Sequence, residues 1–175
     1  SPTGTDIRDT QVEGESGLLA TAEPGHVPEW EPSKKKLTWP SGAVAYGYSG
    51  EEPDRLRGKQ HHFAWLDEPA HMPLIEDVWD MLLFGLRLGV KPRICVTTTP
   101  LPTKWNKALV KDATAVITHA STFDNIDNLA ETYRLIIARY HGTRRGLQEI
   151  EGRLLEDVEG ALWSPLWIEN NRVEE

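Results

Sequence analysis

The sequence predicts an α/β fold with a mainly parallel sheet and flanking helices. From residue 62 onward, segments typical of strands alternate with segments of helical periodicity, and this alternation is typical of parallel strands joined by helices. One strand segment contains three consecutive apolar residues, Ile94-Cys95-Val96. Such a run predicts a strand that is covered on both faces, as in a buried parallel sheet.

The part of the chain before residue 62 carries weaker signals. Glycines interrupt a helical pattern over residues 5–21, which predicts two short helical pieces. β-formers on both sides of Pro40-Ser41-Gly42 predict a hairpin that joins residues 36–39 to residues 43–48. A polar loop over residues 50–58 is expected to lead into the alternating part of the chain.

The alternating part begins with an apolar strand at residues 62–66. Residues 74–88 carry apolar side chains at helical spacing and are predicted to form a helix. The elements predicted after it are a strand at 93–98, a helix at 103–110, a strand at 114–118 and a helix at 129–140. The buried face of the last helix is expected to consist of Tyr133, Ile136, Ile137 and Tyr140.

The composition argues against several classes of protein. The net charge of −8 at pH 7 disfavours a free-standing, non-specific nucleic-acid binder, because such binders need a basic surface. The sequence has no run of 18 apolar residues, so neither membrane insertion nor secretion is expected. The single cysteine, Cys95, excludes an intramolecular disulfide and suits a reducing compartment.

The strongest chemical signal is an apolar strand that ends in two acids, Asp67-Glu68. A carboxylate at the tip of a buried strand can hold Mg²⁺ through its waters, and a neighbouring carboxylate can deprotonate the water that attacks a γ-phosphate. The strand at 93–98 runs into Thr97-Thr98-Thr99-Pro100. Together these segments predict the acidic half of an ATPase site. The alternative for the two acids is an ordinary helix N-terminus, where the helix dipole favours negative charge.

The phosphate-binding loop G-x-x-x-x-G-K-[ST] does not occur in the 175 residues. The backbone N–H groups of that loop cradle the phosphates of a bound nucleotide. We therefore expect the chain to supply the catalytic acids without the nucleotide cradle.

Several motifs agree in order and spacing with one protein family. They are Gly14-Glu15-Ser16-Gly17-Leu18-Leu19, Glu31-Pro32-Ser33-Lys34, Leu37-Thr38-Trp39-Pro40, Pro53-Asp54-Arg55-Leu56-Arg57-Gly58, the Asp67-Glu68 strand, Val96-Thr97-Thr98-Thr99-Pro100, Ser121-Thr122-Phe123-Asp124-Asn125 and Glu159-Gly160-Ala161-Leu162-Trp163. With these motifs the chain resembles, over nearly its whole length, the large terminase subunit of tailed phages and gene-transfer agents. The resemblance implies a DNA-packaging motor in which a P-loop ATPase domain of the RecA/ASCE type precedes an RNase H-like nuclease.

The resemblance also implies how the chain is divided. Residues 1–158 are expected to form a partial terminase ATPase domain that lacks the P-loop strand. Residues 159–175 are expected to be a linker that leads toward a nuclease domain outside the sequence. In the fold of this family the P-loop strand lies next to the coupling-motif strand, so the strand at 93–98 is expected to have an unpaired edge.

Individual residues acquire roles from the same resemblance. Asp67 matches the Walker B aspartate and would bind Mg²⁺, and Glu68 matches the catalytic carboxylate that activates water. Thr97, Thr98 and Thr99 match the coupling motif, whose hydroxyl groups would sense the γ-phosphate of ATP.

Arg57 resembles the arginine that terminases present to the ATP of a neighbouring subunit. A guanidinium delivered in this way can raise the rate on the order of 10³-fold. Arg55 is the competing candidate for this role. Either residue could instead be a loop arginine paired with Glu51, Glu52 or Asp54.

The implied substrate is ATP and the implied cofactor is Mg²⁺, with the P-loop segment required for both to bind. The implied partners are double-stranded DNA, the portal protein, the small terminase subunit and further copies of the chain in a ring, with no membrane partner. The implied place of action is the cytoplasm of the host cell, at the portal of the procapsid.

Two other enzymatic interpretations fit the acidic strand less well. The segment from Asp67 to His71 is close to the D-E-x-H motif of helicases, but 175 residues leave no room for the second RecA-like lobe of a helicase. His62, Asp67 and His71 could be zinc ligands, although Pro69 would not suit the helix that such a site needs.

The C-terminal region offers a weaker signal. Glu156, Asp157 and Glu159 lie in one short segment, whereas the carboxylates of a two-metal nuclease converge from separate strands. A solvated acidic turn is therefore the favoured interpretation of this segment. A non-enzymatic remnant or interaction module of a terminase is the alternative for the chain as a whole.

Overall fold

The computed structural model describes residues 1–155 and Asn171. The chain forms two units, Ser1–Thr98 and Thr99–Glu175. Parts of the sequence analysis fall outside the described residues, namely the predicted linker apart from Asn171, and the acidic residues Glu156, Asp157 and Glu159.

The first unit consists of short elements and one longer helix. In chain order they are the α-helix α1 (Gly4–Asp6), a π-helix (Ile7–Val12), strand β1 (Glu29–Glu31), a 3₁₀-helix (Pro32–Lys34), strands β2 (Lys36–Thr38) and β3 (Val44–Tyr46), a 3₁₀-helix (Pro53–Leu56), strand β4 (Phe63–Asp67), a 3₁₀-helix (Pro69–His71), helix α2 (Ile75–Gly85) and strand β5 (Arg93–Thr97). The predicted helical pieces over residues 5–21 are thus confirmed only as far as Val12.

An antiparallel sheet in the order β1-β2-β3 forms the first half of this unit. Its β2–β3 pair confirms the predicted hairpin, with Leu37 paired to Ala45. Leu37 packs with Ile7 and Val12 in a small core of buried residues. Strand β1 was not predicted, because its sequence Glu-Trp-Glu has one apolar residue and no alternation long enough to signal a strand.

The second half of this unit contains the predicted parallel pair of strands. β4 and β5 are in register from Phe63↔Arg93 to Asp67↔Thr97, and α2 forms the connection between them. One face of this pair packs on α2, where Leu66 meets Val78 and Leu82 in the main core. The predicted elements at 62–66, 74–88 and 93–98 are therefore confirmed, with α2 shorter than expected.

The prediction that both sheet faces are covered is wrong for the described part of the chain. Burial alternates along β5, Cys95 is exposed, and Phe63 on the same face is 58% exposed. A consecutive apolar run cannot show which layers exist on either side of a strand. Here α2 covers one face of the pair, and the other face remains open; we call it the open face, comprising Phe63, Trp65, Asp67, Arg93, Cys95 and Thr97.

The sheet is also less uniformly parallel than predicted. In the described part of the chain the parallel sheet has two strands, and the other three strands form the separate antiparallel sheet. The α/β class is retained, with a small parallel sheet and flanking helices. Among the described residues β5 pairs with β4 alone, and the expectation that a P-loop strand is missing beside residues 93–98 stays a prediction.

The second unit is described as helical. Its elements are α3 (Lys104–Val110), a 3₁₀-helix (Thr122–Asn128), α4 (Glu131–Ala138) and α5 (Arg144–Glu149). The predicted helices at 103–110 and 129–140 are confirmed as α3 and as a shorter α4. None of the helices among the described residues is long and apolar enough to cross a membrane.

The predicted strand at 114–118 is wrong. Asp112 accepts hydrogen bonds from the N–H and the hydroxyl of Thr114, at 2.7 and 2.6 Å between the heavy atoms, and these bonds lower the pKa of the Asp112 carboxyl. A side chain that captures the backbone N–H in this way favours a turn over a strand. Val116, two residues further on, is 93% exposed.

The predicted buried face of α4 is confirmed for one residue only. Ile137 is 3% exposed, whereas Tyr133, Ile136 and Tyr140 are each 40% exposed or more. The helix has eight residues, about two turns, so it presents a narrow stripe to the buried side.

The end of α2 provides a test of the first unit. A Cβ on Gly85 would lie 2.7 Å from Nε2 of His61 and 2.7 Å from the carbonyl oxygen of Lys59. Alanine normally stabilises a helix relative to glycine, but here the clash with a backbone atom should dominate. We expect Gly85→Ala to lower the free energy of unfolding by about 1–3 kcal/mol, measured by urea denaturation. Phe84→Ala, at an exposed neighbour, is the control and should cost less.

Candidate functional site

The parallel register brings the predicted acidic motif and the threonine motif together. Asp67 and Thr97 are paired residues at the carboxyl ends of β4 and β5. In open α/β sheets this end of the strands is where ligands bind. Two of the predicted site residues are therefore neighbours because of the backbone pairing alone.

The side chains of this pair are joined by a short hydrogen bond. Thr97 Oγ1 donates to Asp67 Oδ1 over 2.7 Å, and Trp65 Nε1 donates to Thr97 Oγ1 over 2.8 Å. Trp65 was not among the predicted site residues. The available sequence signal was its spacing of two from Asp67, since residues i and i+2 of a strand lie on the same face.

Glu68 adopts a backbone conformation that is unusual for its residue type. Its φ and ψ angles are 48° and 46°, in the left-handed region. Residues other than glycine pay about 1–2 kcal/mol there, and a residue before proline is further restricted. The turn is held in place because the Glu68 N–H donates to the Thr97 carbonyl over 2.8 Å and Pro69 is fully buried.

This turn directs the Glu68 carboxylate toward two polar neighbours. Thr98 Oγ1 lies 3.4 Å from Glu68 Oε2, a long hydrogen bond, and His71 Nε2 lies 3.9 Å from the same oxygen. The Glu68 side chain remains 38% exposed, so a water molecule can reach it. Strain at a polar, accessible residue of this kind is typical of functional sites.

The predicted arginines lie on a separate surface loop. Leu56 is buried in the main core, which anchors the loop, while Arg55 and Arg57 on either side of it are exposed. Arg57 pairs with Asp54 at 3.1 Å, and Arg55 pairs with Glu52 at 2.8 Å.

These ion pairs bear on both roles considered for the arginines. They are the partners expected of ordinary loop arginines. However, the Arg57 side chain is 70% exposed, and exposed pairs contribute about 0–1 kcal/mol. The pairing therefore leaves either guanidinium able to leave its partner for a phosphate group.

The remaining predicted residues are less closely grouped. Thr99 is the first residue of the second unit, and His62 is exposed at the start of β4. Among residues 1–155 and Asn171, no group of three or more His, Cys, Asp or Glu side chains is placed to hold a metal ion. The zinc alternative therefore has no ligand set in this part of the chain.

Asp67 nevertheless fits the needs of Mg²⁺. Only its Oδ1 accepts a hydrogen bond within the described part of the chain, which leaves Oδ2 available as a ligand. Mg²⁺ commonly uses one or two carboxylates together with water and substrate phosphates, and does not need a closed protein cage. A single carboxylate at a strand end meets this requirement.

An apolar cleft of about 1240 Å³ lies within the first unit. Phe63 and Trp65 of the open face contribute to its wall, and so do Leu37, Ala45 and Tyr46 of the antiparallel sheet. Asp67, Glu68 and Thr97 are not part of this wall. The cleft thus adjoins the acidic site through Trp65 but lacks its charged groups.

The left-handed conformation of Glu68 can be tested by a matched pair of variants. Glycine tolerates this conformation and alanine does not, so Glu68→Gly should be more stable than Glu68→Ala by about 1 kcal/mol. Among the described residues, Lys35 is the other non-glycine residue with positive φ, and it should show the same difference between Lys35→Gly and Lys35→Ala. Urea denaturation of the four variants measures both differences, and equal stabilities of the Glu68 pair would contradict the described turn.

A comparison with known protein families identifies the family of this chain. A family model described as "Terminase large subunit, T4likevirus-type, N-terminal" matches residues 1–170. Searches of curated proteins and of solved structures gave no match. The match covers nearly all of the sequence, including the acidic strand, the threonine motif and the arginine loop. The chain therefore belongs to the large terminase subunits of the T4-like type, a family of phage DNA packaging.

Proposed function

We propose that this chain supplies the metal-binding and water-activating carboxylates for the ATP hydrolysis that drives double-stranded DNA into a viral capsid. The observation that carries the proposal is the in-register pair Asp67↔Thr97, followed on β4 by the strained and accessible Glu68. Family membership accounts for the packaging context. The ATPase role rests on the chemistry of these side chains.

Asp67 is proposed as the Walker B residue that holds Mg²⁺. When bound, the ion neutralises charge on the β- and γ-phosphates of ATP. Asp67 would hold the ion by its carboxylate, and the hydrogen bond from Thr97 keeps Oδ1 of that carboxylate in place. This arrangement fixes the direction in which the carboxylate faces the substrate.

Glu68 is proposed as the general base. Its carboxylate would accept the proton of the water that attacks the γ-phosphate. Glu68 lies in the left-handed turn that follows Asp67, and its carboxylate is near Thr98 and His71, whereas that of Asp67 contacts Thr97. Thr98 and His71 on either side restrict its rotation.

The threonine motif is proposed to act on the carboxylates themselves. Thr97 already donates to Asp67, and Thr98 is within reach of Glu68. A change at the γ-phosphate would first alter the contacts of the two carboxylates and then those of the threonine hydroxyl groups.

The nucleotide cradle is proposed to come from residues outside these 175, because they contain no G-x-x-x-x-G-K-[ST] motif. In the part of the chain that the structure describes, β5 pairs only with β4 and Phe63 on the open face is exposed, so this region offers room for such a segment. Without it, Asp67 and Glu68 have little to hold a triphosphate against water.

Contact with DNA is proposed to be local, given the net charge of −8. The most basic segment, Lys34-Lys35-Lys36, is partly neutralised: Lys34 and Lys36 lie 2.6 and 3.3 Å from the one carboxylate of Glu31, and both lower the pKa of that carboxyl. DNA binding in the packaging machine would therefore depend on the assembled ring and its portal and small-subunit partners.

The catalytic proposal predicts a specific loss of turnover. In a large terminase that includes the phosphate-binding loop, Glu68→Gln should retain ATP binding and reduce hydrolysis by about 10²-fold or more, because the general base is lost. Steady-state ATPase assays with a binding assay measure the two effects. The matched control is Glu76→Gln on α2, which should leave turnover near that of the wild type. Unchanged turnover of Glu68→Gln would remove this residue from the catalytic role.

The trans role of Arg57 predicts complementation between variants. Subunits with Arg57→Ala should be inactive as rings, and mixing them with Glu68→Gln subunits should restore part of the activity. Recovery is expected because one type of interface then receives both intact groups. Arg55→Ala in the same mixing series identifies which arginine acts, and no recovery at any ratio for either arginine would favour the structural loop.

The external cradle predicts weak nucleotide binding by the 175 residues alone. Titration calorimetry with Mg-ATP on the monodisperse chain should give a dissociation constant in the millimolar range or weaker. A micromolar constant would show that these residues form a complete nucleotide site and would overturn this part of the proposal.

A further inference from the structure

The open face of the β4–β5 pair aligns three polar groups in one direction. Trp65 and Asp67 lie two residues apart on β4, and Thr97 lies on β5 opposite Asp67. The Trp65 indole donates to Thr97 over 2.8 Å, and Thr97 donates to Asp67 over 2.7 Å. We infer that Trp65 is a positioning residue for the metal-binding carboxylate of Asp67 and acts through the Thr97 hydroxyl. The inference rests on the proposed role of Asp67.

The direction of this hydrogen-bond chain follows from the chemistry of its members. An indole N–H can only donate a hydrogen bond, whereas a hydroxyl can accept hydrogen bonds and has one proton with which to donate. Because Thr97 Oγ1 accepts from Trp65, its own proton must go to another acceptor. The two nearby acceptors are Asp67 Oδ1 at 2.7 Å and the Leu66 carbonyl at 3.5 Å. The shorter bond is also the charge-assisted one, so the proton goes to the carboxylate.

Trp65 therefore contributes more than contact area. Its bond restrains the Thr97 hydroxyl and polarises it, which strengthens the next bond in the chain. Thr97 in turn occupies Asp67 Oδ1 and leaves Oδ2 for a ligand. Mg²⁺ requires nearly ideal octahedral geometry, so the orientation of the carboxylate affects how well the ion binds.

The position of Trp65 supports a specific role for its N–H group. The ring lies on the open face, where Cys95 and Phe63 are exposed, and forms part of the wall of the apolar cleft. A phenylalanine keeps an aromatic ring at this position, smaller than the indole, and cannot donate the hydrogen bond. Trp65→Phe thus removes the N–H group together with part of the ring, and the effect of the lost ring area is measured by the Trp39→Phe control.

The first measurement tests the hydrogen-bond chain directly. In a large terminase that includes the phosphate-binding loop, selective ¹⁵N labelling of the indoles shows the Trp65 N–H resonance, which is assigned by its loss in Trp65→Phe. Thr97→Val should shift this resonance, and Thr97→Ser should restore it, because serine keeps the hydroxyl. A resonance that is insensitive to Thr97→Val would overturn the inference.

The second measurement tests the consequence for the metal. In a Glu68→Gln background, ATP binding is followed at increasing Mg²⁺ without turnover. Partners of metal-ligating carboxylates typically change affinity by about 10–100-fold, and a partner one step further away should change it less. We expect Trp65→Phe to raise the half-saturating Mg²⁺ concentration by about 3–10-fold, and Thr97→Val to raise it by at least as much.

Three comparisons make the outcomes distinct. The double variant Trp65→Phe/Thr97→Val should have the same half-saturating Mg²⁺ concentration as Thr97→Val alone, since both residues act in one hydrogen-bond chain. Additive effects would overturn the inference.

Trp39→Phe, in the antiparallel sheet region, is the control for general loss of a tryptophan and should leave the Mg²⁺ dependence unchanged. If Asp67→Asn leaves the Mg²⁺ dependence unchanged, the proposed function fails. If Asp67→Asn alters it and Trp65→Phe does not, only this inference fails.

Discussion

The register of the β4–β5 pair is the constraint on which the rest of the candidate site depends. Asp67 meets Thr97 because Leu66 meets Val96 one residue earlier, and both of these apolar residues face the core under α2. A slip of one residue would turn every side chain of one strand to the opposite face. Hydrophobic packing on one side of the sheet thus fixes the polar contacts on the other.

The same pair of strands explains which parts of the structure were predictable from the sequence. Long apolar or periodic segments gave β4, α2, β5, α3 and α4, because burial against a neighbour decides such elements. The acids and threonines at the strand ends then came together as the parallel arrangement requires. The sequence could therefore predict which residues belong to the site wherever the order of the strands decides this.

The details that could not be predicted depend on single side chains. Asp112 captures the Thr114 N–H and replaces a strand with a turn. Cys95 is exposed because exposure depends on which elements pack on that face of the sheet, and the run Ile94-Cys95-Val96 does not reveal this. The hydrogen bond from Trp65 depends on a side-chain rotamer across two strands, and the left-handed angle of Glu68 has no signal in a residue type that normally avoids it.

The backbone of Glu68 has a consequence for how members of this family lose activity. A glutamate in a left-handed turn before a buried proline carries a conformational cost that glycine or asparagine carries to a smaller extent. In a lineage released from ATP hydrolysis, mutations to glycine or asparagine at this position would be selected for stability alone. Decay of the motor would therefore begin at this turn, while the neighbouring Asp67 and the packed strand remain.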